Sequence, residues 1–338
     1  MKKIRIAQIG TQHDHAIPTM ETLRQLSDIF ELVGVANPDR DAENPVISGL
    51  EHPAYQGVPV YPVEDLLDMN LDAVVIETWE KASTQYAQMA LDRGIHVQMD
   101  KPGSESQEEF EKMVLTAKEK NLVFHTGYMY RYNPSVQKLL KSVKDGEFGE
   151  IYSVEAHMNC LHNPQKRQWL SQYKGGMLFF LGCHLIDLIL QFQGMPEKII
   201  PLSTATGFDG VTGEDFGMAV FQYKNGVSFA KTTATEPGGF MRRQLVVCGS
   251  KKTAEIQPLE AFEETPEIQY SRIREIDIET ASQKGWGYSE AWQEFHNHHR
   301  YRDMLVAFAK MVRGEIENPW SYEYEIKLHE IILKACGY

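Results

Sequence analysis

The chain has 338 residues, 42% of them hydrophobic, and a formal net charge of -13. That length suffices for two domains with separate cores, and the composition is that of a globular protein. The acidic balance argues against nucleic acid or anionic membrane as a general partner, and no apolar run is long enough to span a bilayer.

Taken in chain order, the first part alternates strand and helix. Apolar runs predict strands over 4–9, 31–36, 71–77, 96–99 and 122–126. Helical spacing predicts helices over 17–26, 63–69, 83–93 and 107–120, the third closed by Gly94. This alternation predicts a parallel, doubly wound sheet, a Rossmann-like α/β domain over residues 1–130. The boundary falls near Arg131-Tyr132-Asn133-Pro134.

The second part, 131–338, reads as an α+β domain with a mainly antiparallel open sheet. Residues 151–159 alternate like a half-buried strand, and 198–207 suggest another. A hairpin is expected over 216–235, turning at Asn225-Gly226, and a second over 243–256 around Gly249-Ser250. Helices over 182–193 and 301–313 are expected to cover one face of this meander. His296, His298 and His299 read as a solvated helix end. An open apolar sheet face predicts self-association, as a homodimer or homotetramer. Cys160, Cys183, Cys248 and Cys336 form no C-x-x-C pair, which suits reduced thiols. Met1-Lys2-Lys3 runs into a strand without the apolar core of a signal peptide, so a cytoplasmic protein is expected.

The first strand leads into Gly10-Thr11-Gln12-His13-Asp14-His15-Ala16. In dinucleotide-binding folds this turn is glycine-rich and delivers the pyrophosphate to a helix N-terminus. Only Gly10 fits that pattern; Gln12 and His15 stand at the other glycine positions. After the second strand, Asn37 replaces the acid that holds the ribose of NAD, and Arg40 nearby would tolerate the 2′-phosphate of NADP. A plain turn at Asn37-Pro38-Asp39-Arg40 fits equally well. His13 and His15 form a single H-x-H for which the sequence places no third ligand, so no metal is expected. Lys101-Pro102 closes the fourth strand, at the sheet edge where ligands of open α/β folds bind. With the cluster from Gly175-Gly176 to His184 and Asp187, it suggests one active site built from two domains.

These blocks, in order and spacing, resemble the glucose–fructose oxidoreductase / inositol dehydrogenase / MocA family (Gfo/Idh/MocA). The resemblance rests on Asp72-Ala73-Val74-Val75-Ile76, Thr78, Ala90-Leu91, Gly94, His96-Val97 and Lys101-Pro102. It continues through Arg131, Asn133, Pro134, the turn Gly146 to Glu150, Gly175-Gly176, Leu178, Gly182, His184 and Asp187. It implies an NAD- or NADP-dependent oxidoreductase acting on a sugar, cyclitol or related polyol. Gly10, Gln12, His13, Asn37, Arg40, Thr78 and Lys101 would then bind the cofactor. Lys101 would also hydrogen-bond the reacting hydroxyl, and His184 would accept its proton, roles that suit the chemistry of both side chains.

The chain departs from the family at Asp100, Trp79 and Ser83, and above all at Phe180, where an aspartate usually precedes the histidine by four residues. Tyr130, Arg131, His157, Trp169, Phe180 and Asp187 are the candidate substrate contacts. For Asp187 a structural hydrogen bond is the favoured reading over a substrate contact, and for Trp169 packing is the commoner role. The altered residues leave two other functions open. One is NAD-assisted glycoside cleavage by transient oxidation and elimination; the other is a non-catalytic dinucleotide sensor.

Overall fold

The computed structural model describes residues 2–38, 49–262, 268–284 and 291–338. The chain divides into two units, Met1–Tyr128 with Tyr301–Glu330, and Met129–Arg300 with Ile331–Tyr338. The first opens with β1 (Ile4–Ile9), α1 (Ala16–Gln25), β2 (Phe30–Ala36), α2 (Val63–Leu67) and β3 (Ala73–Ile76). It continues with α3 (Glu80–Asp92), β4 (His96–Met99), α4 (Gln107–Glu119) and β5 (Phe124–Thr126). The five strands are parallel in the order β2-β1-β3-β4-β5, the Rossmann-like sheet expected.

The near-continuous apolar strands follow from burial on both faces. Alternation along β3 sends Val74 and Ile76 to a core with Val97, Phe110 and Met113, and Ala73 and Val75 to one with Ile4, Ile6 and Leu23. Ser106 caps α4 by accepting from the Glu109 amide, which fixes the helix start just past the Lys101 segment.

The second unit begins where Asn133 caps α5 (Pro134–Lys144), its Oδ1 accepting from the Ser135 and Val136 amides at 3.0 and 3.2 Å. It then runs through β6 (Ile151–Asn159), α6 (Pro164–Trp169), α7 (Cys183–Gln193), β7 (Lys198–Pro201), β8 (Phe216–Tyr223) and β9 (Gly226–Thr233). β10 (Gln244–Gly249), β11 (Lys252–Ile256), β12 (Ala261–Phe262), β13 (Ile268–Asp277), α8 (Ile278–Lys284) and β14 (Gln293–His299) complete it. A single π-helical turn, Leu178–Gly182, leads into α7. The sheet order is β12-β13-β11-β10-β6-β9-β8-β7, with β14 on β13.

Four expectations change here. The sheet is not a pure meander, because β6 runs parallel to β9 between the two hairpins. The first hairpin pairs Tyr223 with Gly226, so its two turn residues are Lys224 and Asn225. Gly226 serves packing instead: a Cβ there would lie 1.8 Å from the Tyr152 carbonyl oxygen. The histidine run is strand, not helix end, with His298 opposite Gln269 and His299 opposite Ile268. The strand expected over 198–207 is present as far as Thr204: β7 covers Lys198–Pro201, and beyond it the Leu202 amide donates to the Met218 carbonyl at 2.8 Å and Thr204 pairs with Phe216 in the same register.

The fourth change concerns α9 (Arg302–Val312), expected on the antiparallel sheet. Leu305, Phe308 and Ala309 instead share a core with Ile4, Ile6 and Phe30, so the chain returns to the first unit near its C-terminal end. There α10 (Tyr322–Ala335) follows, and its Glu325 accepts from the Thr126 hydroxyl at 3.0 Å. Within the second unit, Val154, Ala156 and Met158 of β6 are buried, while Glu155 and His157 of the other face are half-buried. No described helix is long and apolar enough to cross a membrane.

Candidate active site

In the first unit, the turns after β1, β3 and β4 meet at the carboxyl edge of the sheet, where β1 and β3 are neighbours although β2 intervenes in sequence. Such a switch point is where open α/β sheets bind ligands. Gly10 has φ +96°, and a Cβ there would sit 2.3 Å from the Thr78 amide nitrogen, so only glycine lets the two turns touch. The Thr11 hydroxyl donates to Asn37 Oδ1 at 3.0 Å, which engages that side chain just past β2. Gln12 is half-buried, and Arg40 lies outside the described residues.

The N-terminus of α1 has no side-chain cap and no acid in its first turn. Thr78 Oγ1 is buried without a hydrogen-bond partner among the described residues. An uncapped helix end and an orphaned hydroxyl beside a close-packed glycine fit a bound dinucleotide.

His13 and His15 turn inward from this loop. His15 Nδ1 lies 3.0 Å from Asp100 Oδ2, and His13 Nδ1 lies 3.6 Å from that same oxygen. His13 is also 3.6 Å from a carboxylate oxygen of Glu77 and of Glu80. Asp100 thus supplies the third candidate ligand that the sequence did not place. Burial lowers His13 to a pKa of about 3 despite Asp100, keeping the ring neutral. Burial and the Asp100 charge raise Glu77 well above the usual carboxylate range. Lys101 follows Asp100 and is 1% exposed, and its backbone amide donates to Asp100 Oδ1 at 2.6 Å. Glu77 and Glu80 were not anticipated; their only signal was two acids just past an apolar strand.

In the second unit, His184 lies buried in the first turn of α7. The Tyr130 ring meets it edge-on at 4.9 Å. The Tyr130 hydroxyl is bound to Glu260 and accepts from Arg243 at 3.0 Å. Burial and the neighbouring Glu260 raise that hydroxyl to about 12, so Tyr130 stays protonated. Burial works against ionised Glu260, but Arg300 and Arg243 hold its carboxyl below the ordinary range.

Arg131 and Asp187 meet each other. The guanidinium donates to both carboxylate oxygens at 3.0 and 2.8 Å, and Gln191 donates to Asp187 at 2.8 Å. Phe180, in the π-helical turn, and Trp169, at the end of α6, stand edge-on at 6.0 Å. Between them lies Lys166, fully buried, its ammonium 3.8 Å from the Trp169 ring centre and 4.6 Å from that of Phe180. Lys166 was missed by sequence reasoning, although Lys166 and Trp169 at i,i+3 were a legible pair. His157 stands apart on the sheet, against Phe229 at 5.3 Å.

Two family models match: the oxidoreductase family with an NAD-binding Rossmann fold over residues 4–128, and the GFO/IDH/MocA C-terminal domain over 136–255. The chain belongs to the GFO/IDH/MocA oxidoreductase family. An uncharacterized oxidoreductase of Schizosaccharomyces pombe is 27% identical over 59% of this chain and 54% of its own. D-xylose 1-dehydrogenase (NADP(+)) 2 of Haloferax volcanii is 25% identical over 48% of this chain and 50% of its own. The chain spans about half the length of the curated relatives it matches. Among solved structures, the WlbA dehydrogenase of Bordetella pertussis, in complex with NADH and UDP-GlcNAcA, superposes with a TM-score of 0.75 at 19% identity. That match covers 99% of this chain and 96% of the other, and it shows the shared fold.

Proposed function

We propose that the chain is an NAD(P)-dependent oxidoreductase that moves hydride between a nicotinamide cofactor and a hydroxyl-bearing carbon of a sugar, cyclitol or related polyol. The observation that carries this reading is Lys101, buried at the carboxyl end of β4 on the sheet edge that also bears the Gly10 turn and the orphaned Thr78 hydroxyl. A bound nicotinamide would accept or return the hydride. Lys101 would donate a hydrogen bond to the substrate oxygen and stabilise the negative charge that grows there as its proton leaves. His184, held edge-on by Tyr130, would take that proton in oxidation and return it in reduction. Protonated Tyr130 would keep Glu260 and its arginines in place without competing for the proton.

Xylose and UDP-sugar chemistry in relatives and structural neighbours supports a carbohydrate or polyol substrate. Calorimetric titration with NAD, NADH, NADP and NADPH, followed by a polyol panel read at 340 nm, tests the proposal. Binding of one dinucleotide, and turnover lost in folded Lys101→Ala and His184→Ala, is the expected result. Full activity in both variants, or binding of no dinucleotide to a protein that carries none, refutes it. Aglycone release from a glycoside with no net NADH signal would replace it with transient-oxidation cleavage.

A further inference from the structure

The first unit buries two imidazoles and three carboxyl groups within one small cluster. His13, His15 and Asp100 each offer a ligand atom, and these atoms all lie within 4.8 Å of one another. A tetrahedral zinc site has ligand atoms about 3.4 Å apart, given metal–ligand bonds of about 2.1 Å. The His15–Asp100 and His13–Asp100 separations of 3.0 and 3.6 Å bracket that edge. Small side-chain rotations would therefore close the set around an ion. The main adjustment is at His13 Nδ1, which accepts from the His15 amide at 3.2 Å, a long bond to give up.

The surroundings point the same way. Glu77 is 1% exposed, and its Oε2 accepts no hydrogen bond among the described residues while lying 3.6 Å from His13. Glu80 is 2% exposed and lies 3.6 Å from the far nitrogen of the same ring. Buried carboxylates need a cationic partner or coordinate a metal. Glu77 and Glu80 thus approach the two nitrogens of the His13 ring from opposite ends.

We infer that His13, His15 and Asp100 form a binding site for a divalent transition-metal ion of the zinc class, with Glu77 beside it. Two imidazoles and one carboxylate are the donors of borderline ions, not of magnesium or calcium, which prefer oxygen alone. Three protein ligands leave at least one coordination position open to water or to an anionic group. The inference stands on this cluster alone and does not need the dehydrogenase reading.

The test uses the untagged full chain, stripped with chelator, dialysed and titrated with zinc chloride in a calorimeter. One equivalent of Zn2+ should bind per chain. Outer partners of metal ligands are worth about 10–100-fold in affinity, so losing a direct ligand in His15→Ala should weaken binding by about 100-fold or more. Asp100→Asn, which keeps the side-chain shape, should do the same. His298→Ala, in the separate histidine run of β14, should bind like wild type. No binding by the wild-type chain overturns the inference, as does unchanged affinity in folded His15→Ala or loss in His298→Ala. Should the loop variants fail to fold, X-ray absorption of the zinc-loaded wild-type chain decides. Two imidazoles and oxygen around the ion support the site, and a sulfur ligand or fewer imidazoles sinks it. Loss of the dehydrogenase reading would show as absent dinucleotide binding, a separate readout from zinc.

Discussion

The Arg131–Asp187 pair can be broken in a way that separates a structural role from a substrate-binding one. Arg131 is fully buried and Asp187 is 1% exposed, and the pair is bidentate. Removing one partner strands the other charge away from water, which costs about 3–5 kcal/mol. Arg131→Met and Asp187→Leu should each fall in that range. The double variant replaces two charges by apolar groups of similar bulk, and buried pairs exchanged that way are often neutral. It should therefore recover to within about 1–2 kcal/mol of wild type, a coupling of at least about 3 kcal/mol. Gln191 loses its acceptor but is half-buried, so water can replace it. Equilibrium urea unfolding, followed by fluorescence and far-UV circular dichroism together so that separate unfolding of the units is seen, measures all four proteins. Additive single effects, with the double variant worst of all, would refute the reasoning. It would mean that each side chain has a more important partner than the other.

Three further outcomes follow from the geometry. Gly10→Ala should lower stability by about 2–5 kcal/mol, from its left-handed φ of +96° and the contact its Cβ would make with the Thr78 amide; a melting temperature within a degree of wild type contradicts this. Phe180→Ala should cost about 3–5 kcal/mol, because the ring is 4% exposed and packs on Trp169 and Lys166; urea midpoints decide, and a cost under about 1 kcal/mol would show that the turn collapses onto the gap. Glu260 has its carboxyl held below the unfolded value, so its contribution is complete above about pH 4.5 and is lost as the pH falls through the lower folded value. Stability measured from pH 6 to pH 3 should drop less steeply in Glu260→Gln than in wild type, and parallel curves would remove Glu260 as a source of acid sensitivity.

Much of the fold was legible because it is written in period and punctuation. The apolar runs of β1, β3 and β4 and the glycine stop at Gly94 are local signals, and the elements they mark are present. What local signals could not carry was destination. Leu305, Phe308 and Ala309 make a good amphipathic helix anywhere, and nothing in that spacing says which sheet it covers. The histidines of β14 alternate too weakly, at an exposed sheet edge, to look like strand. The site followed the same rule. Gly10, Thr78 and Lys101 were visible as residues at strand ends, where the fold class itself assigns meaning. Glu80, Lys166 and Glu260 were not, because their importance comes only from what the tertiary structure brings beside them.

Phe180 stands where the family resemblance implies an aspartate, and its surroundings suit a ring rather than a carboxylate. An aspartate in that place would be an anion with Lys166 as a natural partner. With phenylalanine there, the buried ammonium faces two aromatic rings instead. Ring faces carry partial negative charge, and a desolvated cation held against one gains about 2 kcal/mol or more. The exchange leaves Lys166 stabilised by groups that cannot take its proton, whereas a carboxylate could share it. It also takes a hydrogen-bond acceptor from the turn that leads into His184. Any polarising partner for that histidine therefore has to come from another residue. Asp187, one turn further along α7, is already held by Arg131 and Gln191. The pair variants above bear on this as well. Freeing Asp187 with Arg131→Met and Gln191→Met, and then measuring the pH profile of turnover, would show whether a carboxylate at that position can tune His184. An unchanged profile would mean that Asp187 does not tune His184.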